Sequence, residues 1–244
     1  MGLSFTKIFK NVSDNNLPAL KLLLETNSSH INNFSLFDST PIFIAADRGF
    51  FDVVKLLIDY KADVNKTRGN ASPLYAAVCS GHLNIVSLLI QNGANVNFEH
   101  NRHITPLWVA IHRAFFIPSS GVHATKQHCW AQHHKDYLDI IRKLIHSGAN
   151  VNAVSYETSL FSKRDKSKDR SPLGELIFPN VEKWESNPTN GYLNVGHTPG
   201  FNLATFGSKY NITYKKKLIS LKDLMLENGA ILTSYEASLF SLDP

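Results

Sequence analysis

Residues 72–97 read SPLYAAVCSGHLNIVSLLIQNGANVN. Ser72 before Pro73 offers a capping oxygen, and the proline ring is pre-set for a first helical turn. Further on, Ile85, Val86, Leu88, Leu89 and Ile90 place a broad apolar face on a second helix. Gly93 follows as a left-handed C-cap that ends it. The stretch predicts two helices, each with one face to bury.

The chain repeats this unit. Residues 40–65 read TPIFIAADRGFFDVVKLLIDYKADVN, with Val53, Val54, Leu56, Leu57 and Ile58 as the second-helix face. TPLWVAIHRA begins at Thr105, and DYLDIIRKLIHSGANVN ends at Asn152 with Gly148 as its C-cap. SPLGELIF begins at Ser171, and LISLKDLMLENGA ends at Ala230. Pro41, Pro73 and Pro106 are 32 and 33 residues apart, and Pro172 lies 66 further on, two periods. Lys61 stands where the other repeats have glycine, which should cost about 1 kcal/mol if the left-handed conformation is kept.

These segments resemble the ankyrin repeat, whose pattern is T-P-L-H-x-A-A, then G-H, then an apolar helix and G-A-D-V-N. The resemblance covers most of residues 3–232. It implies an all-α solenoid of about five helix-pair repeats, each burying its face against its neighbours, with a concave side. The organisation expected is a degenerate N-terminal capping repeat at 1–36 and full repeats at 37–69 and 70–102. A repeat at 103–155 carries an insertion at 115–135, and an extended basic loop follows at 156–170. A divergent repeat at 171–232 carries an insertion at 179–215, and a tail runs over 233–244. In the capping repeat, LPALKLLLETNSSHIN reads as the second helix. Leu3, Phe5, Ile8 and Phe9 read as the apolar face of the first.

The insertions are measured against the pattern. From the helix-starting proline to the capping position takes 20 residues in repeats two and three, but 42 from Pro106 to Gly148 and 57 from Pro172 to Gly229. The second excess is rich in Asn, Gly, Pro and Thr, so turn chemistry dominates it. Long loops on a rigid scaffold are candidate specificity elements. One eight-residue segment also recurs, SYETSLFS at 155–162 and SYEASLFS at 234–241. It reads as duplication of a repeat with its insertion, with a docking motif used twice as the alternative.

The candidate binding residues follow from the register. In the family pattern the position two after the proline faces the concave side, and here it is aromatic three times running: Phe43, Tyr75 and Trp108. One turn on stand Asp47 and Arg48, Cys79 and Ser80, and His112 and Arg113. An aromatic row beside Arg and His is the composition of protein-binding hot spots. Burying one such ring removes on the order of 150 Å² from water, a few kcal/mol at ~25 cal/mol/Å² before entropy costs. The expected partner is a protein held by Phe43, Asp47, Arg48, Tyr75, Ser80, Trp108, His112, Arg113 and Trp130.

Other residues suggest other chemistries. HATKQHCWAQHH, from His123 to His134, holds four histidines and Cys129, the residue types of zinc sites. It precedes the second helix of repeat four (Tyr137–Ile145), with no helix breaker between Ala124 and His146. The simplest reading extends that helix backwards, placing Trp130, His134, Tyr137 and Ile141 on one stripe. His128 and His133 then lie about 140° apart. No metal, cofactor or catalytic residue is therefore expected. The alternatives are an enzyme whose thiol/histidine site, Cys129 with His133 or His134, is completed by polar groups from the insertion 179–215, or a binder of nucleic acid or an acidic partner through the basic runs Lys163–Arg170 and Lys215–Lys217. No phosphate-binding loop, zinc-protease motif or nucleophile elbow is present.

The 244 residues carry a formal charge of +5, partly concentrated in Lys163–Arg170 and Lys215–Lys217. Those runs read as solvated loops, so no nucleic-acid partner is expected. No apolar run approaches the length of a membrane span, and MGLSFTKIFK does not read as a secretory signal. It does match the short myristoylation pattern. Two cysteines suit a reducing cytosol. The irregular Asn/Lys/Ile/Ser-rich repeats and the segment SYEASLFSLDP resemble ankyrin effectors that intracellular bacterial pathogens deliver by type IV secretion. That resemblance implies a monomeric protein acting on a host protein in the host cytosol.

Overall fold

The computed structural model describes residues 2–35, 39–67, 71–100, 104–115, 127–153, 220–221 and 223–231, with the backbone alone at 2–5, 115 and 127–135. Eight helices are delimited among them. They are α1 (Gly2–Ser13), α2 (Leu17–Thr26), α3 (Pro41–Arg48), α4 (Phe51–Asp59), α5 (Pro73–Cys79), α6 (Leu83–Gln91), α7 (Pro106–Phe115) and α8 (Gln127–His146). Residues 223–227 are helical as well. No strand forms among the described residues. The chain divides into two units, Met1–Asn101 and Arg102–Pro244.

In the first unit, helices pair in sequence order and then stack. α1 packs on α2 and α3, α3 on α4 and α5, and α5 on α6. α2 meets α4, and α4 meets α6. First helices thus form one layer and second helices the other. In the second unit α7 packs on α8.

The local chemistry explains each helix start and stop. Thr40 Oγ1 accepts the backbone N–H of Phe43 at 3.3 Å, and Ser72 Oγ that of Tyr75 at 3.1 Å. Thr105 Oγ1 does the same for Trp108 at 3.3 Å. All three hydroxyl residues are 2% exposed. Burying a hydroxyl is tolerated because the first turn supplies its hydrogen bond. Gly49 (φ 78) and Gly81 (φ 76) end α3 and α5 in the left-handed region. Gly93 (φ 83) and Gly148 (φ 84) do so after α6 and α8, as the sequence predicts. Lys61 keeps that conformation after α4, at φ 67, without a glycine.

The second-helix faces are buried as their spacing requires. Val53, Val54 and Leu57 on α4 are fully buried, as are Val86 and Leu89 on α6. On α8, Tyr137, Ile140, Ile141 and Leu144 are all at 0% exposure. Each such aliphatic side chain contributes roughly 1.5–3 kcal/mol of transfer free energy. α8 is one continuous helix of 20 residues from Gln127, so the backbone is helical through His128, Cys129, Trp130, His133 and His134.

The N-terminal repeat is a full helix pair in register with the next two. Asn16 N–H donates to Asn11 O at 2.8 Å, as Phe50 does to Ala45 and His82 to Ala77, at 3.0 and 2.9 Å. Leu17 donates to Asn15, Phe51 to Gly49 and Leu83 to Gly81. Asn15 (φ 52) therefore occupies the position of Gly49 and Gly81. Asparagine tolerates this conformation better than other non-glycine residues.

Asparagine side chains knit successive repeats. Asn32 Oδ1 accepts the N–H of Asp63 at 2.8 Å. Asn65 Oδ1 accepts that of Asn95 at 2.8 Å, while its Nδ2 donates to Gly93 O at 2.8 Å. In the second unit Asn152 makes the same pair of bonds to Ile231 and Gly229. Asp63, Asn95 and Asn150 each turn the chain locally by accepting the N–H two residues on, at 2.9 Å.

The basic loop 156–170, the insertion 179–215, both copies of the SYE-SLFS segment and the tail 233–244 lie outside the described residues.

Candidate partner-binding face

The aromatic residues sit at one structural position. Phe43, Tyr75 and Trp108 each donate the backbone N–H that the capping hydroxyl receives, so each ring leaves its helix from the third residue of the first turn. All three are half-buried, while the neighbours Ile42, Leu74 and Leu107 are fully buried. Two of the three carry an imidazole against the ring. Tyr75 meets His100 with centroids 4.4 Å apart and planes tilted by 35°. Trp108 stacks on His112 one turn along α7, at 5.0 Å and 15°. The Trp108 Nε1 atom is buried and has no hydrogen-bond partner among the described residues.

Three of the predicted polar residues are committed to their own stack. Ser80 Oγ donates to Asp47 Oδ1 at 3.1 Å, tying α5 to α3. Arg48 Nη1 donates to Ser13 O at 2.8 Å. There the guanidinium satisfies a carbonyl at the C-terminal end of α1, where a cation is favoured. His82 Nε2 lies 3.1 Å from the backbone oxygen of Asp47. An Asp, a Ser and a His thus meet, but as a clamp between repeats: the imidazole reaches the Asp47 main chain and not its carboxylate. Arg113 is exposed on α7. The side chain of Trp130 lies outside the described residues.

One residue of this face escapes a reading of the sequence. The register of the N-terminal repeat aligns Phe9 with Phe43 and Tyr75, and Phe9 is half-buried as they are. Its sequence neighbours Ile8 and Val12 take the fully buried positions. The signal that would have found it is Asn15, standing in for the helix-ending glycine.

Among the described residues no group of three or more His, Cys, Asp or Glu is placed to hold a metal ion. The Cys129, His128, His133 and His134 side chains lie outside them. No helix among the described residues is long and apolar enough to cross a membrane.

Residues 9–100 match the family model for ankyrin repeats (3 copies). That span covers α2 to α6 and the last five residues of α1. Ankyrin repeats are generally protein–protein interaction modules and typically non-catalytic. A search among curated proteins returned no match.

Proposed function

We propose that this chain is a non-catalytic binding module that grips a partner protein on the face of its first helices. Phe43, Asp47, Arg48, Tyr75 and Ser80 form that face in the first unit, and Trp108, His112 and Arg113 carry its equivalent on α7. The observation that carries the reading is the shared position of the aromatics. Each is half-buried above a capped first turn, and α3 is tied to its neighbours by Arg48 on Ser13 and by Ser80 and His82 on Asp47. A rigid support lowers the entropy lost on binding, which is where most interface energy is dissipated. Trp130, on the second helix α8, is a further proposed partner contact.

The finer reading makes the partner a host protein and this chain a monomeric bacterial effector acting in the host cytosol. Its support is the resemblance of the irregular repeats and of residues 234–244 to type IV-secreted effectors.

The test of the binding face is partner capture from a eukaryotic lysate with Phe43→Ser/Tyr75→Ser. Leu22→Ser, on the 64% exposed Leu22 of α2, is the control. Loss with the first and retention with the second is expected. The reverse pattern would move the site to the second-helix layer. Full translocation after deleting residues 234–244 would remove the support for the effector reading.

A further inference from the structure

Three Asn-Gly pairs occur in the chain: Asn92-Gly93, Asn190-Gly191 and Asn228-Gly229. The first and third lie among the described residues, one in each unit, and all four of their residues are exposed. Their surroundings match bond for bond. Asn92 Nδ2 donates to Leu88 O at 2.8 Å, and Asn228 Nδ2 to Leu224 O at 2.8 Å. Gly93 N–H donates to Ile90 O and Gly229 N–H to Leu226 O, both at 3.0 Å. Both glycines are left-handed, at φ 83 and φ 80. Each glycine carbonyl also accepts from the asparagine that follows the preceding helix pair. Gly93 O accepts from Asn65 Nδ2, and Gly229 O from Asn152 Nδ2, both at 2.8 Å. After α8 the equivalent position holds Ser147, whose Oγ donates to Lys143 O at 2.8 Å. The helix end therefore uses a side-chain donor there, and a carboxamide is not required.

An Asn-Gly pair leaves the side-chain carboxamide open to its own backbone, because glycine has no Cβ to shield its nitrogen. Hydroxide takes the glycine N–H proton, and the nitrogen adds to asparagine Cγ. Nδ2 then leaves as ammonia, with a proton taken from water. A second water opens the cyclic imide at either carbonyl and leaves aspartate or isoaspartate. Exposure admits hydroxide and water at both pairs, but the geometry opposes the attack. At ψ 20, Asn92 turns the Gly93 nitrogen away from its own Cβ. Rotating that bond to bring the nitrogen onto Cγ breaks the Gly93 bond to Ile90 and swings Gly93 O off Asn65. We propose that Asn92 and Asn228 are latent deamidation sites, guarded from the preceding repeat by Asn65 and Asn152. Reaction runs only through local opening of the helix end. The product then holds that end less well. Aspartate has no donor for Leu88 O or Leu224 O, and its charge stands at the unfavourable end of the helix dipole. Isoaspartate adds a methylene to the main chain ahead of the Asn95 and Ile231 N–H groups that Asn65 and Asn152 receive.

The test keeps the full chain in mildly alkaline buffer, folded and in urea. Mass spectrometry of the peptides holding Asn92 and Asn228 follows conversion of amide to acid and the appearance of isoaspartate. Conversion at both sites should be at least about tenfold slower in the folded chain. Asn152→Ala should speed conversion at Asn228 by roughly 5–30-fold and leave Asn92 unchanged, and Asn65→Ala should do the reverse. Neither Asn65 nor Asn152 is buried, so thermal unfolding of both variants should stay cooperative. Asn228→Ser keeps a donor, as Ser147 does, and should abolish the product at 228 with hydrogen exchange at 223–231 unchanged. Asn228→Asp, the product itself, should accelerate that exchange. Equal conversion rates in the folded chain and in urea would overturn the proposal. So would rates at Asn92 and Asn228 that ignore Asn65→Ala and Asn152→Ala, or that rise at both sites in either variant.

Discussion

Asn152 Oδ1 accepts the backbone N–H of Ile231 at 2.8 Å across 79 residues of sequence. Its Nδ2 donates to Gly229 O at 2.8 Å. Asn65 makes the same two bonds to Asn95 and Gly93 across 30 and 28 residues. Residues 229–231 thus stand to Asn152 as 93–95 stand to Asn65. Loop entropy grows only logarithmically, so closing 79 residues costs about 0.9 kcal/mol more than closing 30. Two hydrogen bonds at about 1 kcal/mol each exceed that difference. The burial of Leu221 and Met225, both at 0%, adds to the margin.

Asn152→Ala should therefore loosen the end of the second unit. Loss of two largely exposed hydrogen bonds is expected to cost ~1–2 kcal/mol. Hydrogen exchange in a peptide covering 223–231 should accelerate by roughly 5–30-fold, with α6 unchanged. Unaltered exchange at 223–231 would show that apolar packing alone holds that segment.

The asparagines differ in what they use. Asn32 accepts through Oδ1, whereas Asn65 both accepts and donates. Aspartate keeps the acceptor and loses the donor, and it turns an oxygen toward the Gly93 carbonyl. Asn65→Asp should cost ~1 kcal/mol or more, and Asn32→Asp within ~0.5 kcal/mol. Urea midpoints at equal m-values decide it. Equal losses at the two positions would contradict the assignment.

Lys61 holds a left-handed backbone at φ 67 on an exposed position. The conformation costs a residue with a Cβ about 1–2 kcal/mol, and glycine returns part of that through its freer unfolded chain. Lys61→Gly should raise stability by ~0.5–1 kcal/mol, read as a higher urea midpoint. A lower midpoint would mean that the lysine side chain contributes contacts outweighing the strain.

Gly49 is constrained twice. Its φ is 78, and a Cβ there would lie 2.6 Å from His82 Cε1. The imidazole cannot simply swing aside, because its Nε2 is bonded to the Asp47 carbonyl. Gly49→Ala should cost ~2–3 kcal/mol. In a His82→Ala background the clash is gone and the backbone strain of ~1–2 kcal/mol remains. A double-mutant cycle measures the difference, and strict additivity would show that the clash is relieved some other way.

The helices themselves were legible in the sequence because their signals are local. Ser72-Pro73 and Thr105-Pro106 declare a capped first turn through atoms three residues apart. Gly93 and Gly148 declare a left-handed stop, and the period of Val53, Val54 and Leu57 declares a buried face. Even the strain at Lys61 could be read from one missing glycine, and the backward extension of α8 from the lack of a breaker. What hydrophobicity could not separate was Phe9 from Ile8. Both are apolar and adjacent, and α1 has no Ser/Thr-Pro start to set its register.

The structure showed that register, through the local bond from Asn16 to Asn11 and the left-handed turn at Asn15. It also committed Asp47 to Ser80 and Arg48 to Ser13, residues that the sequence presents as open to a partner. The same holds for Asn65 and Asn152, whose bonds join residues 28 to 79 positions apart. Periodicity reports how a residue relates to its own helix. Hydrogen bonds between repeats depend on which helix pair stacks next, and that relation exists only once the stack has formed.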